Sequence, residues 1–259
     1  MNLVWSFTTK MVGYTDTEKV LDLYRASMIR AKQFNYNIKF YGCDFSIEYL
    51  NGYYDTCVDV SDEEFILTDD LKIYVHTKED LDCVTIDGDL ILKGPLNIER
   101  LYNNDVVFEY PETSMTALHD SRKKYIGYLH ILKLLRKYNI PKVIEEYKDM
   151  NDLATNVGII KFNNHKTKNL FINKYNTFRD FYLTNIEPTE GLIGSGYVPS
   201  IVVCQYLYGC LVNYHNISVG YTKTTSEYDH FYGQWKFHPN TTKYVNNIID
   251  ENKQQKKIL

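Results

Sequence analysis

The triplet Asp87-Gly88-Asp89 directly follows an apolar run, Cys83-Val84-Thr85-Ile86, and is the strongest chemical signal in the chain. In extended backbone, residues i and i+2 point to the same side, so both carboxylates could face one cation, with the glycine admitting a ligand or a neighbouring backbone. Hard divalent cations take several oxygen ligands and commonly bridge carboxylates to a substrate diphosphate. A surface Asp-Gly turn has the same sequence, and the triplet alone leaves both readings open. A second segment, His230-Phe231-Tyr232-Gly233-Gln234-Trp235-Lys236, places histidine, glycine and lysine at i, i+3 and i+6. An imidazole can complete a manganese site, a glycine allows close approach of a phosphate, and a lysine neutralises diphosphate charge. Together the two segments hold both halves of a metal-diphosphate clamp.

Such a clamp needs elements that converge. Leu3 to Thr8 is a short apolar strand pattern. After Thr15-Asp16, the residues Val20, Leu21, Leu23, Tyr24, Ser27, Met28 and Ala31 recur at helical spacing, and Asn37 to Tyr41 alternates like a strand. This β-α-β opening predicts an α/β fold with a mixed, mainly parallel sheet flanked by helices. Asp69 to Glu79 fits helix or strand, with Ile73-Tyr74-Val75 favouring strand locally. Arg122 to Tyr138 reads as an amphipathic helix, Val157 to Phe162 as a strand, Thr167 to Tyr182 as a helix and Pro199 to Val212 as a buried helix. One domain is expected over 1–245, split into halves 1–95 and 96–245, the second completing the metal site. A polar, lysine-rich tail over 246–259 is read as a frayed end, with docking on acidic lipid as the lesser reading.

Composition narrows the function classes. The 259 residues are 44% hydrophobic and 24% charged, as in an ordinary globular chain. A net charge of −4 argues against a general nucleic-acid binder, and no apolar run is long enough for a membrane span. Met1 to Trp5 lead straight into a strand without the basic region of an export signal, so a cytoplasmic location is expected, of a bacterium or of a host cell if the chain is viral. Five cysteines without a C-x-x-C pair then read as reduced core thiols. The 24 tyrosines, with many Lys, Asn and Ile, read first as AT-rich coding and second as stacking surfaces for sugar or base.

An apolar strand ending in Asp-x-Asp after a β-α-β unit resembles the GT-A nucleotide-sugar glycosyltransferases. The late His-x-x-Gly-x-x-Lys run is similar to that of the retaining, glycogenin-like and bacterial galactosyltransferase-like branch. Asn156-Val157-Gly158-Ile159-Ile160 resembles the strand that lies beside the donor sugar in that branch. The resemblance implies Mn2+ (or Mg2+) held by Asp87, Asp89 and His230, with Asp87 also near the ribose. It implies a diphosphate against Gly88, Gly233 and Lys236. It implies a base at Phe7, Thr8 and Thr9 with Tyr14 stacking, Lys72 reaching the donor, and Asn156, Gly158 and Gln205 near donor sugar and acceptor. The implied activity is hexosyl transfer, of the retaining type, from a UDP-sugar to a glycan, glycoprotein or lipid-linked hydroxyl. Phe237-His238 stand where the branch has Pro-Trp, and Cys204-Gln205 only hints at its acidic-Gln pair. No base is assigned among Asp120, Glu187, Glu190 and Asp229. The rivals are a GT-A-like sugar-nucleotide-binding protein without turnover and a metal-dependent phosphohydrolase, whose Asp-x-Asp is usually followed by a hydroxyl residue rather than Leu90-Ile91.

Overall fold

The computed structural model describes residues 1–8, 17–67, 69–113, 137, 139, 142, 144–146, 153–185, 205–222, 227–231 and 233–258. In chain order the elements begin with β1 (Asn2–Phe7), α1 (Thr17–Gln33), β2 (Asn37–Gly42), α2 (Asp44–Tyr49) and β3 (Thr56–Asp59). Next come α3 (Asp70–Lys78), β4 (Cys83–Ile86), β5 (Leu90–Leu92), β6 (Val106–Thr113) and β7 (Leu153–Phe162). The last are α4 (His165–Asn185), α5 (Leu207–Tyr214), β8 (Val219–Tyr221), β9 (Tyr228–His230) and α6 (Pro239–Ile258). The chain forms two units interleaved along the sequence rather than the simple halves the sequence suggests. One comprises Met1–Glu64, Asp82–Asn97 and Lys223–Leu259, the other Phe65–Leu81 and Ile98–Thr222.

In the first unit four parallel strands run in the order β3-β2-β1-β4. Leu3 pairs with Ile38 on one side and Val84 on the other, and all three are buried. The chain builds outward from β1 to β3 and then returns to the other flank of β1 with β4. Ligands of open α/β sheets bind outside the carboxyl ends at such a reversal, here the ends of β1 and β4. The helix α1 follows its sequence signals: Glu18 in the first turn and Arg30 and Lys32 in the last oppose the helix dipole. It stops at Asn35, which takes a left-handed φ of 61°, while the Tyr36 and Asn35 amides bond back to the carbonyls of Ala31 and Lys32.

The expected frayed tail is instead the second half of α6. Val245, Ile248 and Ile249 lie at helical spacing and pack with Leu23, Ala26, Ile29 and Ile91, so the polar residues beyond them extend a helix whose apolar stripe is already anchored. No helix among the described residues is long and apolar enough to cross a membrane.

In the second unit β6 lies between β7, antiparallel, and β8, parallel. With the four strands of the first unit these give a mixed α/β fold whose strand pairs are mainly parallel. Its core is aromatic: Phe171 meets Tyr208 at 4.5 Å and Phe162 at 5.5 Å between ring centroids, and Tyr175 and Tyr206 are also buried. Six of the 24 tyrosines are thus buried core among the described residues. Asp69 to Glu79 resolves as the helix α3. Leu71, Ile73, Val75 and His76 are buried from it, and the Asp70 carboxylate accepts the Ile66 and Leu67 amides ahead of its first turn. Packing on one face overrides the local strand preference of Ile73-Tyr74-Val75. The helices α4 and α5 answer to those expected over Thr167–Tyr182 and Pro199–Val212, and β7 starts earlier than expected, at Leu153. Apart from Lys137, the helix expected over Arg122–Tyr138 lies outside the described residues, as do 199–204. The described cysteines, Cys43, Cys57, Cys83 and Cys210, are free thiols.

His76 is a buried base. Its Nε2 has no hydrogen-bond partner and its ring stands edge-on to Phe162 at 5.1 Å. Burial, with the charges of Lys72 and Lys168 beside it, pushes its pKa down to about 3. The folded state thus keeps it neutral, while the unfolded chain takes up a proton as pH falls through about 6.5. Stability is fully present above that pH and should fall by about 1.4 kcal/mol per pH unit below it, towards the folded value. Urea midpoints between pH 7 and 5 should decline more steeply in the wild type than in His76→Phe; equal slopes would assign the proton elsewhere.

Candidate metal and diphosphate site

The strand β4 is buried at every position, and its carboxyl end delivers Asp87-Gly88-Asp89. The triplet is not extended. The Leu90 amide bonds to the Asp87 carbonyl at 3.1 Å, closing a turn that links β4 to β5. The two sequence readings therefore merge: the triplet is an Asp-Gly turn, but a buried one, with Asp89 only 7% exposed. The turn rather than strand alternation brings the carboxylates together.

The glycine also has a different role from the one its sequence suggests. A Cβ at Gly88 would lie 1.9 Å from Tyr24 Cε2, because the Tyr24 ring packs flat into the space. The Tyr24 hydroxyl donates to the Ser6 carbonyl at 2.9 Å, and its ring meets Phe7 edge-on at 5.4 Å. Tyr24 thus ties the end of β1 to the triplet. Sequence reasoning placed it in the apolar stripe of α1, and nothing distinguished it there from the other tyrosines.

The second half of the site arrives on a short antiparallel ribbon. In it β9 pairs with β5, His230 stands opposite Leu90, and the Phe231 amide donates to the Asp89 carbonyl at 3.0 Å. This register sets His230 Nε2 3.3 Å from Asp89 Oδ1. A 3₁₀ turn, Gly233–Phe237, follows and returns Lys236 Nζ to 2.8 Å from Asp89 Oδ2. Burial alone would raise the Asp89 carboxyl. The positive charges of Lys236 and His230, with their hydrogen bonds, outweigh it and hold the group well below the usual carboxylate range. Asp89 is an anion at any physiological pH.

Ligand atoms of Asp87, Asp89 and His230 all lie within 4.8 Å of one another, the one such group among the described residues. Opposite ligands of a small divalent cation stand about 4.2 Å apart. Side-chain adjustments of a few tenths of an ångström would let the three share one ion. Carboxylate oxygens suit hard divalent cations and an imidazole nitrogen suits first-row transition metals, so the set can hold a divalent metal ion.

The remaining expected site residues fall in two places. In the first unit Phe7 and Thr8 are buried at the end of β1, so Phe7 contributes by packing on Tyr24; Thr9 and Tyr14 lie outside the described residues. Asp229 pairs with Lys93 at 2.7 Å. In the second unit Lys72, Asn156, Gly158 and Gln205 gather at an irregularity of β7. Pairing jumps there from Phe108–Ile160 to Tyr110–Asn156, leaving three residues of β7 opposite one of β6. Asn156 Oδ1 accepts the Gly158 amide at 2.8 Å, and its Nδ2 donates to the Tyr110 hydroxyl at 3.1 Å. Lys72 Nζ donates to the Val157 carbonyl at 3.1 Å, and Thr155 Oγ1 to that of Gln205 at 3.3 Å. Asp120, Glu187 and Glu190 lie outside the described residues.

The packing of Tyr24 on Gly88 predicts a coupled pair. Gly88→Ala alone should cost about 3 kcal/mol or more by overpacking, and under about 1 kcal/mol in a Tyr24→Ala background. Chemical denaturation of the double-mutant cycle measures this; equal costs in both backgrounds would refute the contact.

No family model matches this sequence, and neither does any curated protein. Among solved structures the chain is similar to the galactosyltransferase LgtC in complex with donor and acceptor sugar analogs, at 12% identity over 97% of this chain and 96% of that one, with a TM-score of 0.49. An active-site mutant of LgtC gives 12% identity over the same shares and a TM-score of 0.48. The apo-form glycosyltransferase GlyE of Streptococcus pneumoniae TIGR4 gives 11% identity over 97% of this chain and 63% of that one, with a TM-score of 0.37.

Proposed function

We propose that this protein is a metal-dependent glycosyltransferase that moves a hexosyl group from a nucleoside diphosphate sugar, a UDP-sugar, to an acceptor hydroxyl of a glycan, glycoprotein or lipid-linked sugar. One observation carries the reading: a buried carboxylate at the end of a sheet strand meets a histidine and a lysine supplied more than 140 residues later. An acid-base dyad would need neither the second carboxylate nor the lysine. A diphosphate clamp needs all four.

Asp87, Asp89 and His230 would hold Mn2+ or Mg2+, which when bound supplies Lewis-acid neutralisation of diphosphate charge. Lys236 works on the same charge from the protein side. Its ammonium is held by Asp89, and any positive charge that engages Asp89 weakens that hold and frees Lys236 to donate to a phosphate oxygen. In the transfer the bond from the anomeric carbon to the phosphate oxygen breaks and its electron pair stays on the diphosphate. The acceptor oxygen forms the new bond, and its proton leaves on the diphosphate in a retaining reaction. Charge grows on the leaving group, where a pre-positioned ammonium in a water-poor site is most effective.

The test is release of free nucleoside diphosphate from a panel of sugar nucleotides, with and without manganese. Slow, manganese-dependent release should appear with one preferred donor even without an acceptor. Asp89→Ala should abolish it, and Lys236→Ala should lower kcat by 10²–10³ (roughly 3–4 kcal/mol) while donor affinity falls less. Failure of every donor to bind wild type with manganese, read by calorimetry, would sink the proposal. The anomeric configuration of the product, read by NMR, decides retention.

A further inference from the structure

The sequence holds two tryptophans, and they are opposites. Trp5 is fully buried in β1 and donates to Ser27 at 3.1 Å. Trp235 is 63% exposed, the most exposed large hydrophobic side chain among the described residues, although its neighbour Lys236 closes on Asp89. At that exposure the indole buries little of its surface in the fold.

Residues i and i+3 of a 3₁₀ turn lie on one side. Trp235 accordingly faces His238, with ring centroids 5.4 Å apart and planes tilted by 42°. His238 Nδ1 accepts the Asn240 amide at 3.2 Å, so in the neutral ring Nε2 carries the proton. The pair brings an exposed aromatic ring together with two N–H donors, the indole Nε1 and the imidazole Nε2. A pyranose has the matching surface: a face of C–H bonds that packs on an aromatic ring, and a rim of hydroxyls that accept hydrogen bonds. The charged parts of a donor are already matched by Lys236 and the metal ligands, which leaves a neutral ring as the complement of this platform.

We propose that Trp235 and His238 form a subsite that stacks a pyranose ring of the acceptor glycan, next to the diphosphate clamp. The inference rests on the glycosyl-transfer reading and deepens it.

Because Trp5 is buried, the two indole N–H resonances can be told apart, and Trp235→Phe assigns them. The full chain, with manganese and UDP, is titrated with lactose, maltose, cellobiose and N,N′-diacetylchitobiose. At least one saccharide should shift the Trp235 indole and leave that of Trp5 in place. Trp235→Ala should weaken that saccharide at least tenfold, and Trp235→Phe less than threefold. UDP affinity, read by calorimetry, should stay within twofold in both variants. A Trp235 signal unmoved by all four saccharides overturns the proposal, as does unchanged saccharide affinity in Trp235→Ala. A Trp235 shift that follows protein concentration without saccharide would assign the face to a second copy and also overturn it. Loss of UDP binding in the wild type would instead count against the glycosyltransferase reading itself.

Discussion

The arrangement of the first unit turns on one anion. Asp89 sits in a turn with almost no access to water, where a lone carboxylate would be too costly to keep ionised. Lys236 and His230 make the charge tolerable, and each requires its own piece of backbone: the β5–β9 register for the histidine and the 3₁₀ turn for the lysine. The proposed reaction uses these same three side chains, with Asp87, for the cation and the diphosphate. The ammonium and imidazole thus compensate the buried acid within the fold.

The scaffold beneath the site was largely legible in the residues. The alternation of apolar strand and amphipathic helix through Tyr41, and the apolar run before Asp87, pointed to parallel strands carrying a ligand at their ends. The pairing of β1 with β2 and β4 bears out the parallel strands. The grouping of Asp87, Asp89 and His230 was implied by the family resemblance of their motifs, and their ligand atoms lie within 4.8 Å of one another. What could not be read were effects set by distant partners. Gly88 reads as a flexible or ligand-facing glycine, but the ring that demands it lies on α1, over sixty residues earlier. The polar end of α6 reads as tail because the three apolar residues that anchor it precede the lysines and need α1 to pack against. Ile73-Tyr74-Val75 reads as strand until the burial of α3 is known.

The second unit shows the same dependence of local geometry on neighbours. Asn156-Val157-Gly158 reads as plain strand, but the pairing with β6 slips there, and Asn156 satisfies the amide that the slip leaves over. Lys72 donates to the Val157 carbonyl at the same irregularity.

The interleaving of the two units bears on how the protein is made. The ribosome delivers the second unit whole before it delivers Lys223–Leu259, the segment carrying β9, the 3₁₀ turn and α6. During synthesis the parallel strands of the first unit must therefore wait with the apolar face of α1 uncovered and Asp89 without its cations. The nascent chain exposes a sticky surface beside an uncompensated acid for the whole of that interval, and chaperones act on surfaces of that kind. The time needed to translate Ile98–Thr222 makes up most of that interval.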